Sequence, residues 1–121
     1  MFIQLKHKSL SVYLAVRELA KEIYKVSMLL PAEEKFNMVP QIRRAALSAK
    51  LNLAEGSTRR SEVERKRFLE ISRGSVVELD AALETAVDLN YYKLEELKTA
   101  GELLNKCFAM LSNMIKSKAD I

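Results

Sequence analysis

The stretch Gln41–Gly74, QIRRAALSAKLNLAEGSTRRSEVERKRFLEISRG, contains the clearest turn in the chain. Gly56 is the residue type that most often takes the left-handed conformation just past the end of a helix. Further on, Ser61 and Glu64 have the spacing of a capping box, in which the serine hydroxyl accepts from the Glu64 N–H and the Glu64 side chain reaches back. These two signals predict that one helix ends before Gly56 and that the next begins after Ser61.

The same stretch carries all of the net positive charge. It holds nine basic and four acidic side chains, a net +5, whereas the rest of the chain holds eleven basic and twelve acidic ones, a net −1. Lys and Arg bind phosphate groups without reading sequence, and salt weakens this attraction. The candidate nucleic-acid-binding residues are Arg43, Arg44, Lys50, Arg59, Arg60, Arg65, Lys66 and Arg67. The alternative is that these charges cover solvated helix faces and pair with Glu62, Glu64 and Glu70.

Outside this stretch, the sequence has the composition of long helices. Three Gly and two Pro in 121 residues are too few for the turns of a β protein. Apolar residues recur at alternating spacings of three and four. Four helices are predicted, at about Ser9–Leu30, Met38–Glu55, Glu62–Leu89 and Lys93–Lys116. The expected fold is an all-α, antiparallel up-down-up-down four-helix bundle over residues 9–118, with an N-terminal arm at 1–8 and a tail at 119–121.

The helical periodicity also predicts which residues face the core. The predicted core stripes are Val12, Val16, Leu19, Ile23, Val26 and Leu30; Ile42, Ala46, Ala49 and Leu53; Phe68, Ile71, Ser75, Leu79, Ala82, Ala86 and Leu89; and Leu94, Leu97, Gly101, Leu104, Phe108, Leu111 and Ile115. The first and fourth helices carry a second apolar stripe, which indicates either deeper burial within one chain or an oligomer interface.

Smaller features give further expectations. Ser9 and Asn37 are predicted N-caps, since their side chains can accept from free N–H groups at a helix start. Asn90 tolerates the left-handed conformation that would end the third helix. Gly74, with Ser75, is expected to allow close packing against the alanines of the second helix.

No constellation of catalytic or metal-binding residues is visible. His7 is the only histidine, and it is expected to be solvated in the N-terminal arm. Cys107 has no second Cys or His with which to share a metal, and is expected to be a small core hydrophobe. The sequence therefore predicts no enzyme activity, no cofactor and no metal site. The N-terminus lacks the features of a signal peptide, and no apolar run approaches the ~20 residues that span a bilayer, so a cytoplasmic protein without a membrane association is expected.

Three polar residues near the centre of the chain are given a structural role. Asn52, Glu55 and Arg73 lie on the second and third helices. Glu55 is expected to be partly buried and paired with an arginine, either Arg73 or Arg44. The three would then hold the second and third helices together, with a direct functional role as the alternative.

Several motifs, in their order and spacing, carry a resemblance to a known family. They are Leu30-Pro31-Ala32-Glu33-Glu34, Gln41-Ile42-Arg43-Arg44-Ala45-Ala46, Asn52-Leu53-Ala54-Glu55-Gly56, the run 64–69, Arg73-Gly74-Ser75 and Leu89-Asn90-Tyr91. Together they resemble the 23S rRNA intervening-sequence proteins, over about residues 9–117. The chain departs from the family at residues 48–51, where relatives often have Ser-Ile-Pro, and at Asn90, where they often have Gly.

The resemblance implies a function class. Relatives are encoded within insertions in bacterial 23S rRNA genes or by free-standing genes, and a related branch serves as the accessory protein of diversity-generating retroelements. Those proteins form a pentameric barrel with a basic surface, work with a reverse transcriptase and its RNA, and carry no demonstrated catalytic activity. The resemblance implies a homopentamer that binds structured RNA or an RNA–protein complex. The alternative is a scaffold for a protein such as a reverse transcriptase, with no direct nucleic-acid role.

Overall fold

Four α-helices make up most of the computed structural model, which describes residues 1–117. They are α1 (Ser11–Ser27), α2 (Met38–Ser57), α3 (Glu62–Asp88) and α4 (Lys98–Lys116). Three short 3-10 helices, at Lys6–Ser9, Ala32–Glu34 and Leu94–Leu97, precede α1, α2 and α4. The predicted all-α four-helix fold is confirmed. Residue 118 and the predicted tail, 119–121, lie outside the described residues.

The helices run alternately up and down. At one end, the Tyr91 hydroxyl donates to Glu34 Oε2 at 2.8 Å, which joins the α1–α2 connection to the α3–α4 connection. The α2–α3 loop and the N-terminal arm lie at the opposite end. Because α1 packs on α2 and α4, and α3 packs on the same two helices, the four close around one core.

The predicted core faces of α1 and α2 are confirmed. All six stripe residues of the first predicted helix are buried, and so are the four of the second, together with Ala45. The small alanines of α2 let α3 approach closely, and the Ser72 hydroxyl donates to the Ala49 carbonyl across that contact at 2.6 Å.

The predicted core face of α3 is wrong at most positions. The buried residues of α3 are Leu69, Ser72, Val76, Leu79, Leu83 and Ala86. Of the predicted stripe only Leu79 and Ala86 are among them, while Ile71 is 43% exposed and Leu89 is 50% exposed. The reason is that α3 carries two adjacent apolar stripes that share Leu79 and Ala86, and only the packing of α2 and α4 selects between them.

The start and one face of α4 also differ from expectation. Leu94 is 74% exposed, because residues 94–97 form a 3-10 helix whose tighter winding shifts the phase of the apolar stripe. Phe108 is half exposed and the neighbouring Cys107 is fully buried. Leu97, Leu104 and Leu111 are buried as predicted.

Two of the glycines serve different purposes from those predicted. Gly56 lies inside α2 and not past its end, and no glycine within residues 1–117 has a positive φ. A Cβ at Gly56 would lie 2.7 Å from the Phe68 Cβ, so this glycine permits close packing of α2 on α3. Gly74, expected to permit that packing, is exposed, and a Cβ there would meet nothing within 4 Å.

The helix ends are only partly as expected. The Ser61 hydroxyl accepts from the Glu64 N–H at 3.3 Å, and Asn90 has a φ of 63°, both as predicted. Helix α1 begins at Ser11, two residues later than predicted, with Leu10 in the N-cap position.

The cap of α2 differs from the prediction as well. Asn37 occupies the N-cap position, but its side chain makes no capping hydrogen bond. The carboxylate of Glu34 does so instead, accepting from the Met38 N–H at 3.3 Å and from Asn37 Nδ2 at 3.0 Å. Glu34 lies one helical turn before Met38, and its side chain reaches the free Met38 N–H. The Asn37 side chain does not reach a free N–H from the backbone conformation that Asn37 adopts.

The last turn of the N-terminal arm, Lys6–Ser9, packs on α1. His7 is only 4% exposed and lies edge-on against the Tyr13 ring, with ring centroids 4.9 Å apart. The expectation of a solvated histidine is therefore wrong, because the 3-10 helix Lys6–Ser9 turns the imidazole onto α1. Burial and the nearby charge of Lys8 lower the pKa of His7, so the ring is neutral near pH 7.

Candidate nucleic-acid interface

The α2–α3 loop is held in shape by one of the candidate arginines. Arg65 Nη1 donates to the carbonyl oxygens of Arg59 at 3.0 Å and of Arg60 at 2.6 Å. Carbonyl groups after a helix end lack intrahelical partners, and a guanidinium from the first turn of the next helix supplies them. Arg65 therefore shapes the loop on which Arg59 and Arg60 are presented.

Arg59 makes two contacts through its guanidinium, one with a carboxylate and one with an aromatic ring. Its Nη2 lies 2.8 Å from Glu55 Oε1, and its guanidinium lies over the Phe68 ring, 5.1 Å from the centroid. The expectation that Glu55 pairs with an arginine is confirmed, but the partner is Arg59, one helical turn away, and not Arg73 or Arg44. The expectation that Glu55 is partly buried is wrong, because its side chain is exposed at the end of α2.

Two further candidates make contacts within the bundle. Arg43 Nε donates to Ser27 Oγ at 2.8 Å, and its guanidinium lies 5.0 Å from the centroid of the Tyr24 ring, which ties α2 to α1. Lys66 Nζ pairs with Glu62 Oε1 at 3.3 Å. Arg43 therefore has a structural role in addition to any role at the surface.

The side chains of the other four candidates make no hydrogen bond, ion pair or ring contact of this kind within the part of the chain that the structure describes. Arg44, Arg60 and Arg67 are exposed, and Lys50 is half-buried. The structure does not bring all eight candidates into one patch. Arg44 and Arg60 are separated by about two-thirds of the length of α2, about 20 Å at 1.5 Å per residue.

Basic side chains from three separate segments meet at one end of the bundle, and this meeting was not predicted from the sequence. The arm residues Lys6 and Lys8, together with Lys116 at the end of α4, lie at the same end as the α2–α3 loop. We call this surface the basic end. Its residues are Lys6, Lys8, Arg59, Arg60, Arg65, Lys66, Arg67 and Lys116. The signal was available in the up-and-down order of the helices, which places the N-terminus, the second loop and the end of α4 together.

Positive charge extends from this end along α1 and α2. A hydrogen bond with Lys8 lowers the pKa of the Met1 amine, and the nearby charges of Lys8, Arg17 and Lys50 lower it further. Arg17 on α1 and Lys50 on α2 therefore lie near the start of the arm, beside Lys8.

The three residues assigned a structural role lie in separate places. Asn52 Nδ2 donates to the Ser48 carbonyl at 2.9 Å, and the Ser75 hydroxyl contacts Ser48 Oγ at 3.0 Å across the α2–α3 contact. Arg73 Nη1 instead reaches Ser112 Oγ on α4 at 3.2 Å. Of the three, only Arg73 joins two helices, and it joins α3 to α4; Asn52 bonds within α2 and Glu55 pairs with Arg59 just past its end, so the expectation that the three hold α2 and α3 together is wrong.

Glu34 is the buried polar centre that sequence reasoning did not identify. Hydrogen bonds from Tyr91 and Asn37 lower the pKa of its carboxyl, and the bond to Glu34 raises the pKa of Tyr91 to about 12. These contacts hold the two connections at the end opposite the basic end. The motif Pro31-Ala32-Glu33-Glu34 was noted, but only the fold reveals that Tyr91 lies beside it.

The remaining features concern metal ligands, the cysteine and the apolar character of the helices. No group of three or more His, Cys, Asp or Glu within residues 1–117 is placed to hold a metal ion. Cys107 is fully buried, as expected of a core hydrophobe, and burial raises the pKa of its thiol to about 11. None of the helices described here has the length and apolar character needed to cross a bilayer.

Comparison with known proteins gives a solved structure of the same fold. A protein of unknown function from the S23 ribosomal protein family of Bacteroides thetaiotaomicron superposes with a TM-score of 0.80 at 22% identity, covering 88% of this chain and 99% of that one. A search of curated proteins finds no match. The model of the 23S rRNA-intervening sequence protein family matches residues 8–113. The chain therefore belongs to the 23S rRNA-intervening sequence protein family.

Proposed function

We propose that this protein is a non-catalytic, cytoplasmic homo-oligomer, a pentamer, whose basic end binds structured RNA or an RNA–protein complex without base specificity. The observation that carries the proposal is the meeting of the α2–α3 loop, the N-terminal arm and the end of α4 at one pole. The name of the family, which refers to an intervening sequence of 23S rRNA, supports an RNA partner.

The chemistry of the basic end favours contact with phosphates. Exposed guanidinium and ammonium groups, such as those of Arg60 and Arg67, attract the backbone of any nucleic acid. Recognition of single-stranded bases would instead need exposed aromatic rings. Phe68, the aromatic residue nearest the loop, packs against Gly56 and is covered by Arg59, so it is not available for stacking.

Exposed apolar side chains on α2 and α3 support the oligomer. Leu47 is 42% exposed, Leu51 is 55% exposed and Ile71 is 43% exposed, on the outer surface of these two helices. A second copy of the chain packed there would remove this apolar surface from water. In a ring, the basic end would repeat once per subunit and the fields would add.

The proposal is tested by salt-dependent RNA binding. Arg60 and Arg67 have no ion pair within residues 1–117, so the double variant R60A/R67A should fold normally. Fluorescence anisotropy with a labelled RNA hairpin should show that the slope of log K against log salt becomes shallower by about 1.5 to 2, since two phosphate contacts are lost.

The matched control removes the same charge elsewhere. K98A/K106A deletes two exposed lysines of α4 away from the basic end. We expect this control to keep the slope of the unmodified protein. Equal loss of affinity in both double variants would mean that net charge alone, and not the basic end, attracts the RNA, and would overturn the proposal.

A further inference from the structure

Charge differs between the two halves of α3: residues 62–74 carry a net +1 and residues 75–88 a net −4. The N-terminal half of the helix follows the basic loop, whereas residues 75–97 hold six carboxylates and a single lysine, a net −5. Because α3 runs away from the basic end, this negative charge lies toward the opposite pole of the bundle. Such a distribution is unfavourable for RNA at that pole.

A groove between α3 and α4 accompanies the acidic half. Two adjoining clefts, of about 240 and 250 Å³, share Asp80 and Leu104 as lining residues and together form one groove. Its apolar side chains include Leu94, 74% exposed, and Val77, 51% exposed. Gly101 lines the groove, and a Cβ at this position would meet nothing within 4 Å.

A row of carboxylates lines the groove. Asp80, Glu84 and Asp88 recur every four residues on α3, which places them one above another on the same face. None of the three forms an ion pair within the described residues. These carboxylates lie beside an exposed apolar surface, and no basic side chain within residues 1–117 is paired with them.

We propose that this groove binds an amphipathic helix of a partner protein, with an apolar stripe flanked by Lys or Arg. The apolar side chains would cover Val77 and Leu94, and the basic ones would pair with the carboxylate row. The eleven-residue span from Val77 to Asp88 is about 17 Å long, enough for three turns of a docked helix. This proposal stands apart from RNA binding at the basic end.

Charge complementarity selects this occupant. A nucleic acid would bring phosphates against Asp80, Glu84 and Asp88, and an uncharged apolar helix would leave all three unpaired at the edge of a desolvated contact. A helix with an apolar stripe and basic flanks would cover the apolar surface of the groove and pair with its carboxylates.

The test uses a labelled synthetic peptide of about 14 residues, with leucines at helical spacing and flanking lysines, and a second peptide with glutamate in place of each lysine. By fluorescence anisotropy, the lysine peptide should bind the intact protein at least about tenfold more tightly than the glutamate peptide. Equal affinity for the two peptides, or no binding of either, would overturn the proposal.

Two glycines provide a matched pair of variants for the site itself. Gly101→Leu projects a side chain into the groove and should weaken peptide binding about tenfold, while Gly74→Leu, equally unobstructed but outside the groove, should leave it unchanged. Unfolding measurements establish that both variants fold. Equal binding by the two variants would contradict the assignment of the site.

The carboxylates are tested in the same way. Glu84→Gln should weaken binding and reduce its salt dependence, whereas Glu70→Gln, on the same helix but away from the groove, should not. If Gly101→Leu instead dissociates the protein into single chains, the groove is an interface between copies and the proposal of a separate partner is wrong.

Discussion

At the scale of single residues, similar side chains perform different tasks depending on what the fold places beside them. Gly56 and Gly101 both lie within helices, but only Gly56 has a neighbouring helix against its Cα. Glu33 and Glu34 are adjacent in sequence, and only Glu34 turns inward to meet Tyr91. Local pattern indicates the residue type needed for a turn or a cap but does not reveal a partner that is distant in sequence.

The first prediction concerns Gly56. Gly56→Ala should destabilise the protein by about 1 to 3 kcal/mol, because the new Cβ would overlap the Phe68 Cβ and force α2 and α3 apart. Gly101→Ala has open space and should be neutral or stabilising by up to about 1 kcal/mol. Urea unfolding of both variants checks this prediction, and equal stability of the two would contradict the close packing at Gly56.

The second prediction concerns the acid side of the stability profile. The native pKa of Glu34 lies below its ordinary value of 4.5, so its ionised form is favoured by folding. Its contribution to stability should be complete above pH 4.5 and lost as the pH falls through the lowered native pKa. Glu34→Gln should therefore be less stable than the unmodified protein at pH 7, with the difference shrinking in acid. A pH-independent difference would contradict the role of the charge.

At the scale of helices, the sequence predicts the number of helices and most of their ends, but not every face. The core stripes of α1 and α2 are predicted correctly, because each is the dominant apolar stripe of its helix, although α1 also carries a second, weaker one. Helix α3 carries two overlapping apolar stripes, and its register depends on the position of α2 and α4. The predicted helix bounds already separate Arg44, within α2, from Arg60, in the loop that follows it, but only the fold brings Lys6 and Lys116 to that loop.

The third prediction tests the contact that sets the register of α3. Ser72→Ala removes the hydrogen bond to the Ala49 carbonyl and should cost about 0.5 to 1.5 kcal/mol. Ser72→Val should cost more, since its methyl groups must fit where α2 and α3 lie closest. The substitution Ile71→Ser, on the exposed face, serves as the control in a dilute monomeric sample. A larger loss at residue 71 than at Ser72 would contradict the observed register.

At the scale of the whole molecule, the bundle separates its charges. The arm, the α2–α3 loop and the end of α4 make one pole basic, while the second half of α3 and the start of α4 carry carboxylates. The up-and-down order of the helices produces this arrangement from segments that are distant in sequence. In the two proposals made above, each pole serves a different partner.

The fourth prediction concerns the burial of Cys107 in the core. Cys107 is fully buried, and its thiol has a pKa of about 11, so it should react very slowly with a thiol reagent at pH 8. The rate should rise steeply across the urea unfolding transition, because access requires opening of the core. Rapid labelling of the native protein would contradict the packing of α4 against the other helices.

The central claim, an oligomer that holds RNA at its basic end, is tested most directly by multi-angle light scattering at low and high salt, with and without a structured RNA. Five chains of 13.8 kDa give a predicted mass of about 69 kDa, which should rise when RNA is added at low salt and return to that value at high salt. A mass of 13.8 kDa under all conditions, or an oligomer whose mass RNA does not change at low salt, would contradict the account.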